Sequence, residues 1–454
     1  MKNHKMLSAL LAALMLISAC LFTVPAMAED VTEITVWTKD RHDQDLLLSI
    51  VDQFNKENPD IHINYEQYTD NYPQVIEIAS SAGELPDIFC INNTPMITQA
   101  YQRGQLAALD SLITDEDKAR FDASLFIEGI NMFDGQIYSL PNTGLTLRLV
   151  YNQDIFERVG LSGPPKSIDE MVADAKLITE QLGGEGVYGF ALPLANPQSG
   201  FQRGFNQFPL IDGYPVFEGF DYRQGKYDFT VYKPYVLALA DIWNSGAAFP
   251  GCESLNIDPL RTQFAAGKIG MYMTYSHSEW GVYMDQFPTD QRWQYAQIPS
   301  TSGEIVGSQS LSAGYWYVIN SATKDLEKTW RVYSAIYSQE NLIKYYEAGY
   351  GVSVVPSVIA AATAPSAIAA VPYMGIQPTD KIWPVAPQNV VPEGDNWGAR
   401  FAEVVFGYNN DIDGIIADLN ERYQAAYLQS IEDGFNTQIQ YPNLAANDLT
   451  NTMN

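Results

Sequence analysis

Eight tryptophans and 28 tyrosines give this chain of 454 residues a large aromatic surface. Beside planar polar groups, such rings can hold a polyhydroxylated ring: its apolar C–H face stacks on the aromatic, and its hydroxyls exchange hydrogen bonds with the polar groups. Composition cannot place the site, because 12% aromatics would also suit a large core. Position says more. In open α/β sheets, ligands lie beyond the strand ends. Lys39, Asp40 and Arg41 follow the first expected strand, and Asn92, Asn93 and Thr94 follow the third. Each loop can contact a ligand or serve as a solvated turn or helix cap. For bond-making chemistry, two carboxylates in an aromatic cleft would suffice to hydrolyse a polysaccharide, but 54 acidic side chains make such pairs uninformative. The chain has no G-x-S-x-G elbow, no H-E-x-x-H pair and no phosphate-binding loop. Asn409-Asn410-Asp411-Ile412-Asp413-Gly414 resembles the start of a calcium loop, but Asn420 stands where the bidentate Glu belongs. A capped helix start is the better reading, and no metal or cofactor is expected.

The elements that must position these residues follow from periodicity. Ile34 and Val36 alternate as in a strand; Leu47, Ile50, Val51 and Phe54 then have helical spacing, ended by Asn58-Pro59. A strand at Ile61, Ile63 and Tyr65, a helix opened by Pro73, and the apolar run Ile88–Ile91 complete a β-α-β-α-β order that predicts a mostly parallel, helix-covered sheet. Asp134-Gly135 predicts a hairpin turn before a strand from Leu145 to Tyr151. Ser167-Ile168-Asp169-Glu170 is a capping box for a helix that runs to Gly183-Gly184. Asp258-Pro259 opens a helix closed by Gly267, before a strand from Ile269 to Met273. Leu326, Trp330, Tyr333 and Tyr337 predict another helix. Residues 352–378, rich in Ala, Pro and Ser, read as packed loops and short helices.

The length implies two to four compact units. A net charge of −28 argues against nucleic acid or an anionic membrane as partner. Lys2, Lys5, the apolar run Leu7–Ile17, and Ala26 and Ala28 before Glu29 form a secretory leader over residues 1–28. Ile17-Ser18-Ala19-Cys20 resembles a lipobox, which makes Cys20 a candidate for acylation; the apolar Leu21–Pro25 favours cleavage after Ala28. Nothing local pairs the remaining Cys90 and Cys252.

Several motifs in order resemble the maltose-binding-protein type of bacterial extracellular solute-binding protein. They are Ile34-Thr35-Val36-Trp37, Phe54 to Ile61, Gly83-Glu84-Leu85-Pro86-Asp87-Ile88, Gly135 to Pro141 with Val150 to Phe156, Phe264 to Met271, and Ser312-Ala313-Gly314. The resemblance implies an α/β, two-lobed periplasmic-binding-protein fold: mostly parallel sheets covered by helices, with ligand in a cleft on which the lobes close. Lobe 1 would comprise residues 29–143 and about 308–350, and lobe 2 residues 144–307 and about 351–454. It also implies a monomer that binds a small molecule, most simply a sugar, and delivers it to an ABC permease. Asn142 and Thr143 at the first crossing, one of Tyr275, His277 and Trp280 after the strand that follows Gly267, with Trp280 preferred, Tyr315 and Trp316 after the second crossing, and Trp397 would join the two loops as ligand contacts. Asn92-Asn93 departs from the acidic residue of the maltose protein, which puts maltose itself in doubt. The same fold could bind a polyamine or a phosphate ester. Lys39, Asp40 and Arg41 together with amides and aromatics fit a neutral hydroxylated ligand best.

Overall fold

The computed structural model describes residues 31–40, 43–68, 71–313 and 316–447. The leader with Cys20, Arg41 and Tyr315 lie outside the described residues. The chain divides into two compact units: residues through Phe89 with Ala322–Ile336, and Cys90–Ser321 with Tyr337 onward.

In the smaller unit, β1 (Thr32–Thr38) is the middle of three parallel strands, with β2 (Ile61–Gln67) on one side and β3 (Ile88–Cys90) on the other. Helices α1 (Gln44–Glu57) and α2 (Tyr72–Ala82) make the crossovers. Helix α1 buries the expected Leu47, Ile50, Val51 and Phe54, and it ends where Asn58 returns both its backbone N–H and its side-chain amide to the Phe54 carbonyl. The Asp87 carboxylate accepts both the backbone N–H and the hydroxyl of Thr35 at 2.8 Å, which explains the Pro86-Asp87 turn before β3. The helix Leu326–Ile336 sends Arg331 to Asp60 at 2.7 Å and Lys328 to the Thr32 hydroxyl at 2.8 Å. It stops one residue before Tyr337, the last of its expected apolar positions.

The larger unit holds β4 (Leu147–Asn152), α3 (Ile168–Leu182), β5 (Tyr188–Ala191), β6 (Ile269–Tyr275) and β7 (Trp293–Ala296), and its sheet runs in the order β7-β4-β6-β5. Here the expectation of mostly parallel sheets needs correcting. Strand β6 is parallel to β5, but β4 is antiparallel to both of its neighbours, so three strands run one way and β4 the other. Strands β4 and β5 run in opposite directions although α3 lies between them in the chain, so a helix between two strands does not by itself make them parallel when they are not neighbours in the sheet. The Ser167–Glu170 capping box closes in both directions, and Asp134 and Gly135 both take positive φ in the hairpin Met132–Phe133/Gln136–Ile137. Helix α3 sits so close to β5 that a Cβ on Gly189 would lie 2.1 Å from the Ala175 carbonyl oxygen. The segment 90–143 clusters with this unit, and its backbone bonds include Ile91 to Trp316, Ala107 to Ile319, and Val354 to Asn142. Short helices Pro356–Ala361 and Ser366–Ala370 occupy the Ala/Pro-rich stretch.

A buried ion pair ties β4 to the two-residue strand Asp380–Lys381. Arg148 of β4 and Asp380 have fully buried side chains joined at 2.5 and 3.0 Å, and the same guanidinium donates to the carbonyls of Tyr373 and Gly375.

Candidate ligand-binding site

Just beyond β1, the Lys39 ammonium meets the Asp40 carboxylate at 2.6 Å, and the Asp40 backbone N–H donates to the Thr38 hydroxyl. Asn93 caps the helix Thr94–Gln102: its side-chain oxygen accepts the Met96 N–H at 3.0 Å, with Thr94 as the first helical residue and Asn92 exposed beside it. Asn142 is 2% exposed, and its side-chain nitrogen has no hydrogen-bond partner among the described residues. Thr143 pairs with Ser353 in a short antiparallel ladder.

Tyr275 ends β6 with its ring part-exposed, and the Arg203 guanidinium lies 5.0 Å over that ring, where the cation meets the negative π face. Arg203 also donates to the Thr274 hydroxyl at 3.2 Å, and Thr274 donates to Glu279. Glu279 is fully buried and held by two bonds from Arg261, at 2.9 and 2.7 Å. With Glu279 spent on Arg261, Arg203 has no ion-pair partner among the described residues, and burial lowers its pKa.

One residue earlier, Gln202 donates to Glu218 at 2.8 Å, and Asn206 and the Trp397 side chain also bond Glu218. Glu218 and Gly219 both take positive φ between the strands Val216–Phe217 and Phe220–Asp221. A glutamate in that region is strained, and three hydrogen bonds to its carboxylate hold it there. Burial raises the Glu218 pKa, and these bonds oppose the rise.

Trp397 and Tyr275 are thus linked through Glu218, Gln202 and Arg203, three residues that sequence reasoning missed. A signal was present: Phe201, Phe205 and Phe208 at helical spacing leave Gln202, Arg203 and Asn206 between them, and Glu218-Gly219 occupies a turn that favours Asn-Gly. Two expected stacking platforms need correcting. Trp397 is 1% exposed and packs against Phe201, Phe205, Tyr232 and Phe401, so its ring is core while its indole serves Glu218. Trp316 is buried edge-on against Tyr337 and Tyr345. Trp280 is part-exposed, 6.5 Å from Trp293. At the calcium-like motif, Asp411 caps the helix Ile412–Glu432 and Asn420 accepts the Phe229 N–H, so these oxygens serve a helix and a loop.

The arrangement offers an aromatic face, guanidinium donors and a carboxylate acceptor side by side. Groups of these kinds can bind a ligand through hydroxyls and C–H faces.

Comparison with known proteins agrees. The profile of the bacterial extracellular solute-binding protein family matches residues 40–343. A binding protein of Brucella abortus (strain 2308) is 27% identical over 303 residues, covering 64% of this chain and 68% of that one. The melibiose/raffinose/stachyose-binding protein MelE of Bacillus subtilis is 24% identical over 172 residues, 37% of this chain and 38% of its own. Among solved structures, the apo form of RafE from Streptococcus pneumoniae superposes with a TM-score of 0.67 at 17% identity, over 89% of this chain and all of that one. The cyclic alpha-maltosyl-1,6-maltose binding protein of Arthrobacter globiformis also gives 0.67, at 18% identity over 88% and 99%. These are two-lobed α/β proteins, and this chain belongs to the bacterial extracellular solute-binding protein family.

Proposed function

We propose that this protein captures an oligosaccharide outside the cytoplasm and delivers it to an ABC permease, acting as a monomer and not as an enzyme. The observation that carries the reading is the Tyr275–Arg203–Gln202–Glu218 constellation, an aromatic face beside a donor and an acceptor whose hydrogen-bonding capacity is not exhausted within the protein. Lys39, Asp40, Asn92, Asn93, Thr94, Asn142, Thr143 and Trp280 are further proposed contacts, with Arg41 and Tyr315 from the sequence. Asn142 is the strongest of these, because an orphaned buried amide nitrogen calls for an acceptor. The names of its relatives support a sugar: MelE, RafE solved in complex with raffinose, and a diacetylchitobiose binding protein of Streptomyces coelicolor. The proposed lobes divide near residues 143 and 308, and the leader is cut after Ala28, with acylation at Cys20 the alternative that mass spectrometry of the mature N-terminus decides.

Thermal denaturation against mono- and oligosaccharides, polyamines and phosphate esters tests the ligand class. A ligand at about 100 times its Kd adds roughly 2.7 kcal/mol. A shift confined to one sugar series supports the reading. A phosphate ester acting alone would leave the family intact and overturn the sugar, and slow sugar turnover would favour a hydrolase.

A further inference from the structure

The larger unit carries a cavity of about 960 Å³ that none of Arg203, Glu218, Tyr275 or Trp397 lines. Its walls are the loop Leu161–Lys166, the first two turns of α3 with Glu170 and Asp174, the edge strand β7 continuing to Ser300, and Pro372-Tyr373. These walls are braced. Ser300 N–H donates to the Lys166 carbonyl at 3.1 Å and Ile168 N–H to the Ser300 carbonyl at 2.9 Å, Pro164-Pro165 restrict the loop, and Arg148 holds the Tyr373 carbonyl at 2.8 Å.

The polar lining is rich in acceptors. Gln294 donates one side-chain N–H to the Ala370 carbonyl and Gln297 one to Gln309, and neither side-chain oxygen accepts a hydrogen bond among the described residues. The Ser300 hydroxyl, in a residue 1% exposed, has no hydrogen-bond partner among the described residues. Asp174 is part-buried and receives neither an N–H nor a cation among the described residues. Leu161, Pro164, Ile305 and Tyr373 supply apolar wall between these groups. An anion would meet the carboxylates of Asp174 and Glu170, with the Lys166 ammonium alone to set against them. We propose that this cavity binds an aliphatic di- or polyamine, with an ammonium on Asp174, the Ser300 and glutamine oxygens as further acceptors, and the methylenes against Pro164 and Tyr373. Among the charged groups that face Asp174, Lys166 is exposed and the Glu170 carboxylate is held ionised by the backbone N–H groups of Lys166 and Ser167.

The test is calorimetric titration of the mature protein with putrescine and spermidine, with 1,4-butanediol as the neutral isostere. Amine binding at millimolar or tighter Kd, no heat from the diol, and a loss of about tenfold or more in Asp174→Asn, with the affinity for sugar unchanged in that variant, are expected. Burial and the Glu170 charge push the Asp174 carboxyl up to about 6, so amine affinity should fall as pH drops from 7.5 to 5, while Glu170, its pKa lowered by backbone N–H groups, stays ionised. No heat at about 10 mM amine, equal binding of the diol, or full affinity in Asp174→Asn would each overturn the proposal. Mutual displacement of amine and sugar would overturn it too, since the amine would then occupy the sugar site.

Discussion

Replacing Asp380 with Ala removes one half of an ion pair that no solvent reaches. Both side chains are fully buried, and the carboxylate takes two charge-assisted bonds from Arg148, at 2.5 and 3.0 Å, as well as the Gln377 N–H at 2.7 Å. In Asp380→Ala the guanidinium keeps the carbonyls of Leu147, Tyr373 and Gly375 but has no counter-charge. An uncompensated buried charge costs about 3–5 kcal/mol. The pair Arg148→Met/Asp380→Leu buries no charge and should lose far less than the sum of the two single replacements. Urea unfolding followed by far-UV circular dichroism measures each variant and closes the cycle. A loss below about 1 kcal/mol in Asp380→Ala, the value of an exposed pair, would refute the account of this pair as a buried anchor.

The remaining expectations concern single side chains. Trp397→Ala should cost about 3–5 kcal/mol in urea unfolding, as for a large core aromatic; a stable variant that only loses sugar affinity would restore the ring to the ligand. Arg203→Gln should leave the melting temperature of the free protein nearly unchanged and weaken sugar binding by about tenfold, the loss of roughly one charged hydrogen bond, in the same titration. Asp174→Asn should stabilise the amine-free protein in a pH-dependent way. The folded carboxyl titrates near 6, above its ordinary 3.8, so ionisation opposes folding fully above pH 6 and ceases to matter below the unfolded value. Discounted for partial exposure, the gain is about 1 kcal/mol at pH 7.5 and should vanish near pH 4 in paired thermal melts.

What the sequence made legible was local. The Ser167–Glu170 box, the Asp134-Gly135 hairpin and the Asn58-Pro59 stop are set by residues within four positions of one another, and each stands where the pattern put it. Three of the expected ligand residues resist for the opposite reason. Trp397 is enclosed by Phe201, Phe205 and Tyr232, which lie 165 to 196 positions away; Trp316 is enclosed partly by Tyr345; and Asn93, read as either contact or cap, spends its oxygen on the cap. A motif can align a tryptophan, but only packing decides whether its face is open.

The same distinction explains why the residues that best fit recognition went unread. Glu218 is one of 54 acids, and nothing in its composition sets it apart. Its backbone does: a two-residue turn with both φ positive accepts Asn-Gly without strain, so a glutamate there needs compensation. The compensation is visible as three hydrogen bonds from Gln202, Asn206 and Trp397. A turn alone would be easier to build with Asn, which suggests that the carboxylate itself is what the position keeps. Arg203 carries the complementary argument. In a chain with 54 acids and 26 bases, a desolvated guanidinium without an ion pair among the described residues is the exception, and Glu279, whose charge acts on it, is already committed to Arg261. An unpaired donor and a strained acceptor joined through Gln202 are costly to maintain for stability alone, and a ligand presenting hydroxyls to both is the simplest reason for the fold to hold them.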